Sequence, residues 1–241
     1  MVQLKYFGDS RDYFKYDLIT SIFEAHLLTN YTFIPMLTDH RENNEGNKKP
    51  VKRDDKSFML YEFIMTRNSK SLDHWEKWLA QYVLSYNTAK PADNIFFHNE
   101  SRANYWQRFK SFLEIENALV FLDPDTGLQT GSASYRRKMG PDKYILNDEL
   151  NDMFRSLHPD SLMMVYQHLP NNKHVHSEAT HKKLNQSQSV CCGAMTCAYR
   201  KDDLAFIFIA KSTLVFKRMQ NFLVEYHEKS TDKYKEVIAT A

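Results

Sequence analysis

The sequence predicts an α/β fold: a mostly parallel sheet with helices on both faces, closed by a C-terminal antiparallel hairpin. Three observations carry this. Apolar runs of strand length alternate with segments of helical periodicity along most of the 241 residues, the pattern of strands joined by helical crossovers. One such run, Ala118 to Asp123, ends abruptly in Pro124-Asp125-Thr126-Gly127, a turn sequence. Near the C-terminus the apolar runs Val190 to Tyr199 and Leu204 to Ala210 are joined by Arg200-Lys201-Asp202-Asp203, which reads as a hairpin.

Taken in order, Asp9 or Ser10 caps a first helix in which Phe14, Leu18, Ile22, Phe23 and Ala25 recur at helical spacing to about Leu28. Its first two turns also hold Arg11, Asp12, Lys15, Tyr16 and Asp17, more polar groups than a helix start requires. Tyr31 to Leu37 reads as the first strand, running into Thr38-Asp39-His40 and a polar loop over 41–56, expected to be mobile. Helices are expected over Phe58 to Met65 and Leu72 to Tyr86, the second capped by Ser71, with a short strand candidate at Asn94 to His98. Asn104 to Ile115 reads as a helix with Tyr105, Phe109, Phe112 and Leu113 inward and Arg102, Arg108 and Lys110 outward. After the Asp-Pro-Asp strand, 129–142 reads as a loop holding Arg136, Arg137 and Lys138, the densest basic stretch. A helix over Tyr144 to Leu157 and a strand from Leu162 to Tyr166 follow, the latter ending in Gln167-His168-Leu169-Pro170. Asn171 to Ser189 is strongly polar, and Thr213 to His227 is an amphipathic helix before a charged tail over 230–241. With no internal repeat and no linker, one domain over 1–241 is expected, its first 30 residues contributing to the site.

Composition narrows the function classes. A net charge of +2 excludes a globally basic chain, so nucleic-acid binding has to come from a local patch. The 3 cysteines, an odd number clustered at Cys191, Cys192 and Cys197, and the absence of a signal peptide point to a reducing cytoplasm. No apolar run approaches the roughly 20 residues of a membrane-spanning helix. His174, His176 and His181 with the cysteines fit no standard zinc spacing, so no metal is expected, and Cys191 and Cys197 read as buried small hydrophobes.

Three expected strand ends carry polar groups: Thr38-Asp39-His40, Asp123-Pro124-Asp125 and Gln167-His168. In open α/β sheets ligands bind beyond the carboxyl ends of the strands, so these ends are expected to converge. Pro124 also biases Asp123 towards extended geometry, which aims its carboxylate.

The closing hairpin resembles that of the class I methyltransferase-type Rossmann fold. The stretch Gly8-Asp9-Ser10-Arg11-Asp12-Tyr13-Phe14-Lys15-Tyr16-Asp17-Leu18, followed by a first strand and a later strand ending in Asp-Pro, resembles adenine-N6 methyltransferases acting on ribosomal RNA. That resemblance implies adenosylmethionine as cofactor. The sequence departs from it twice: the first loop has no glycine before Gly46, and Asp125-Thr126 stand where the family has proline and a stacking aromatic. A second resemblance is to the uracil-DNA glycosylase superfamily, through Leu122-Asp123-Pro124-Asp125-Thr126-Gly127 and Gln167-His168-Leu169-Pro170. It implies that Asp123 orients water or stabilises a cationic sugar while His168 lies near the leaving base.

Glycosidic hydrolysis builds positive charge on the sugar and negative charge on the base, which a carboxylate and a donor meet without a cofactor. The base has to be flipped into a pocket lined by rings. The expected function is therefore a DNA glycosylase acting on a modified base, without cofactor, with DNA as partner and no membrane association. Asp123 is the expected catalytic carboxylate, with Asp125, Asp12 and His168 assisting. Asp9, Arg11, Tyr13, Tyr16, Asp39 and Gln167 are expected to bind substrate, and Arg136, Arg137, Lys138, Lys182 and Lys183 to hold phosphates. The alternative is adenosylmethionine-dependent methylation of nucleic acid, or a non-catalytic nucleic-acid-binding derivative of that fold.

Overall fold

The computed structural model describes residues 7–37, 49–66, 71–88, 97–131 and 140–239. In chain order the elements begin with α1 (Ser10–Glu24), β1 (Asn30–Pro35), α2 (Phe58–Met65), α3 (Leu72–Leu79) and β2 (Ser85–Thr88). Next come α4 (Arg102–Gln107), α5 (Lys110–Leu113), β3 (Ala118–Asp123), β4 (Gly127–Leu128) and β5 (Tyr144–Ile145). The remainder is α6 (Asn147–Ser156), β6 (Leu162–His168), α7 (His176–Val190), β7 (Met195–Lys201), β8 (Leu204–Ala210), α8 (Thr213–Lys229) and β9 (Lys235–Ala239).

Seven strands form one sheet in the order β2-β1-β3-β6-β8-β7-β9. The first four are parallel, and β8, β7 and β9 then alternate in direction. The expected closing hairpin is β7–β8, with β8 lying between β6 and β7. Alternate side chains of each strand enter opposite cores, as a sheet covered on both faces requires. Tyr31, Phe33, Leu119, Phe121 and Met164 pack with α1, α2, α3 and α8 on one face. Ile34, Val120, Leu122, Met163 and Val165 pack with α4, α5, α6 and α7 on the other.

Several elements differ from the sequence expectation, each for a local reason. The first helix stops at Glu24 because His26 takes a left-handed φ of 51°. The helix expected over Leu72 to Tyr86 stops at Leu79, and Ser85–Thr88 pairs with β1 instead, tertiary pairing overriding local periodicity. The helix expected over Asn104 to Ile115 is broken into α4 and α5, and Arg102, expected to face outward, is buried. Its guanidinium grips both oxygens of Glu149 and the carbonyls of Pro141 and Tyr144. Tyr144–Ile145 pairs with Gly127–Leu128, so the next helix starts at Asn147 rather than Tyr144. The polar stretch after Asn171 is mostly the helix α7, and the strand after it begins at Met195. Part of the expected charged tail is the edge strand β9. Of the strand candidate Asn94 to His98, 94–96 lie outside the described residues and Phe97 is buried outside any strand.

A candidate site at the carboxyl edge of the sheet

The parallel strands β1, β3 and β6 finish at one edge of the sheet, and the first turn of α1 lies over it. Asp9 is the N-cap of that helix: its Oδ1 accepts from the backbone N–H of Arg11 at 2.8 Å and of Asp12 at 3.0 Å. This cap fixes the direction in which Arg11, Asp12 and Lys15 leave the helix. Nearly the whole circumference of α1 is buried, so its polar side chains have to find partners inside the protein.

Lys15 does so between two carboxylates. Its Nζ lies 2.7 Å from Asp12 Oδ1 and 2.8 Å from Asp123 Oδ2. It also sits over the rings of Tyr16, Phe121 and Tyr166 at 5.3–5.7 Å, and Asp12 Oδ2 accepts the Gly8 N–H at 2.8 Å. Burial alone would make Lys15 easier to deprotonate; Asp12 and Asp123 outweigh it and hold the ammonium charged. Burial raises the Asp123 carboxyl above the usual carboxylate range, opposed by Lys15. The group is thus two acids on one lysine, an anionic triad sealed from solvent, with Asp123 only 2% exposed.

The solvent-facing layer is different. Arg11 Nη2 lies 2.8 Å from Asp203 Oδ2, on the turn between β7 and β8, and His168 Nδ1 lies 3.9 Å from the same oxygen. Arg11 and Asp203 are each nearly half exposed and His168 about a quarter. Burial, reinforced by the Arg11 charge and opposed by Asp203, pushes His168 down to about 4, so its ring is neutral at pH 7. Burial and the Asp12 charge push Asp9 up to about 6. A carboxylate poised near neutrality at the N-cap of α1 and a neutral imidazole at the end of β6 are groups of the kind that acid–base chemistry uses.

The structure therefore brings together Asp9, Arg11, Asp12, Asp123 and His168 of the residues singled out from sequence, and adds Lys15, Tyr166 and Asp203. It places others elsewhere. Asp125 turns away from Asp123 to pair with Lys143 at 3.3 Å. Gln167 serves the backbone: its Oε1 accepts the Leu128 N–H, and its Nε2 donates to the carbonyls of Thr126 and His168. Tyr13 donates to the Ser57 carbonyl and meets Tyr61 edge-on, and Tyr16 is stacked on Trp75 in the core. Lys183 is spent on the carbonyls of Leu128 and Gln129, and Lys182 is exposed beside Glu178. Asp39, Arg136, Arg137 and Lys138 lie outside the described residues.

His176 meets the Pro170 carbonyl, and Cys191 and Cys197 are buried with thiols pushed up to about 12 by burial, as befits core residues. No three His, Cys, Asp or Glu side chains gather as metal ligands among the described residues. No described helix is long and apolar enough to cross a membrane. Comparison with family models, curated proteins and solved structures finds no match to the chain.

Proposed function

We propose that the carboxyl edge of the sheet is the active site of a nucleic-acid glycosylase, hydrolysing the bond between a flipped base and its sugar. The observation that carries this reading is the electrostatics of the edge: a buried two-acid, one-lysine triad next to a half-buried carboxylate, Asp9, with a neutral imidazole, His168, at the same sheet edge. Excess anion under the site favours the cationic sugar of the transition state. The accessible carboxylate is Asp9 rather than Asp123, whose burial and ion pair bar it from touching substrate. Asp9 accepts a proton from water as the water oxygen bonds to the sugar carbon and the carbon–nitrogen bond breaks. His168 donates a hydrogen bond to the base, which departs with the electron pair. Asp12, Lys15 and Asp123 act as positioning residues.

The test is incubation with duplexes and single strands carrying modified or ordinary bases, followed by alkali. Strand breaks at one base type are expected; no break on any substrate sinks the reading.

Methyl transfer is the second reading, favoured by the place of Asp123 at the end of β3 beside β1 and by the β7–β8 hairpin. Against it, Asp123 is engaged by Lys15, and Asp125, where the resembled methyltransferases carry no acid, pairs with Lys143. The chain thus lacks the accessible carboxylate and stacking ring of that chemistry at these positions. Thermal stabilisation by adenosylmethionine is the outcome that would favour it over hydrolysis.

A further inference from the structure

Asp203 is shared by two cationic or potentially cationic partners, and in the free protein it is close to only one of them. Its Oδ2 is at hydrogen-bond distance from Arg11 and more than an ångström further from His168 Nδ1. Asp203 sits on the tight β7–β8 turn, where Asp202 takes a left-handed φ of 50°, and the Asp203 carbonyl accepts the Leu169 N–H at 2.8 Å. The turn is thereby tied to the segment that carries His168, which keeps the carboxylate and the ring near each other. A movement of about 1 Å converts the longer contact into a hydrogen bond.

Arg11 is the group that prevents this. Its guanidinium has five donors in a fixed fork, of which the Asp203 contact uses one, and its end is open to solvent. A planar fork with an exposed face, whose one hydrogen-bonded counter-ion is itself half exposed, is suited to a phosphate oxygen pair.

We propose that Arg11 is the docking group for a phosphodiester of the substrate, that Asp203 is its counter-ion in the free protein, and that phosphate binding transfers Asp203 to His168. The charge balance works without loss. One monoanion replaces another on Arg11, and the negative charge released is met by a proton taken from solvent onto the His168 ring, which then donates from Nδ1 to Asp203. The charged and titratable groups facing His168 among the described residues are Arg11 on α1, Asp203 on the β7–β8 turn and Tyr166 on β6. With Arg11 neutralised, the first no longer repels an imidazolium and the second attracts it. Substrate binding thereby turns a neutral histidine into a general acid for the departing base. This deepens the glycosylase reading and rests on its nucleic-acid substrate, though the swap itself needs no turnover.

The experiment is a titration of the His168 imidazole by NMR, assigned with His168→Gln, in the free protein and with a short single-stranded oligodeoxynucleotide at saturation. Saturation is followed separately by fluorescence anisotropy. The expected result is an upward move of the His168 midpoint on binding from about 4 to at least the ordinary imidazole value of about 6.5. Arg11→Gln should show the raised midpoint without the oligonucleotide and bind it more weakly. Asp203→Asn should keep the midpoint low in the free protein and cut the move on binding to the smaller part that comes from relief of the Arg11 repulsion. Binding with an unmoved midpoint, or undiminished binding by Arg11→Gln, overturns the swap while leaving the glycosylase reading standing. No binding at any concentration overturns the nucleic-acid reading and the swap with it.

Discussion

Lys15 is the residue on which the buried half of the site depends. It lies in the polar cluster at the start of the first helix, so its presence was visible in the sequence, but its bridging of Asp12 and Asp123 was not, since Asp123 is 108 positions away. Removing one partner of a buried pair leaves the others desolvated and uncompensated. Lys15→Met should therefore cost about 3–5 kcal/mol at neutral pH, measured by denaturant unfolding. The loss should shrink as pH falls, because the two acids then fold protonated, and adding Asp123→Asn to Lys15→Met should recover part of it. Asp9 and His168 make opposite contributions to acid stability. The raised Asp9 stabilises the fold fully below about 3.8, and that contribution is lost as pH rises through about 6. The depressed His168 favours the fold above 6.5, and that contribution is lost as pH falls through about 4. Between pH 6.5 and 4 the two oppose each other. Thermal melts should show His168→Gln gaining relative stability on acidification and Asp9→Asn losing it.

At the scale of elements, the loop after β3 is held by an unusual glycine. Gly127 has φ of +128°, and a Cβ there would fall 2.4–2.6 Å from the Gln167 amide. Gly127→Ala should destabilise by about 1–3 kcal/mol through backbone strain and displacement of that amide, read out by chemical denaturation. The glycine was legible as a turn residue, whereas the role of Gln167 as its lock required the packing of β4 against the end of β6. A second buried network faces the other side of α1. Asp17 accepts from Tyr226 at 2.6 Å and from the Ser57 N–H at 2.8 Å, with Lys56 3.3 Å away. It fastens the segment entering α2 to α1 and α8. Asp17→Ala should cost about 3–5 kcal/mol in the same assay, because it leaves Lys56 buried without its carboxylate, and it should leave the His168 midpoint where it was.

For the whole molecule, the alternation of apolar runs made the α/β class, the strands β1, β3, β6 and β8 and the closing hairpin legible. Their hydrophobic runs are buried on both faces, so local pattern and tertiary environment agree. Edge strands were not legible. Ser85–Thr88 is short and mostly polar, and Lys235–Ala239 is a short apolar run, Val237-Ile238-Ala239, inside a charged segment; their neighbours make them strands. The site was legible in outline, because Asp123 and His168 end neighbouring strands, but the depth of each group was hidden. Asp123, expected to be the catalytic carboxylate, is buried and paired with Lys15, while Asp203 sat in a turn with nothing in its local sequence to distinguish it. In the proposed function, Asp9 and His168 form one hydrolytic site at this edge, supported by the Lys15 triad. Single-turnover formation of abasic sites by Asp9→Asn, on the substrate that the wild-type protein cleaves, tests it most directly. A loss of about 10²-fold or more, with thermal stability at pH 7.5 and oligonucleotide affinity retained, is the predicted result; an abasic-site yield matching that of the wild-type protein would contradict it.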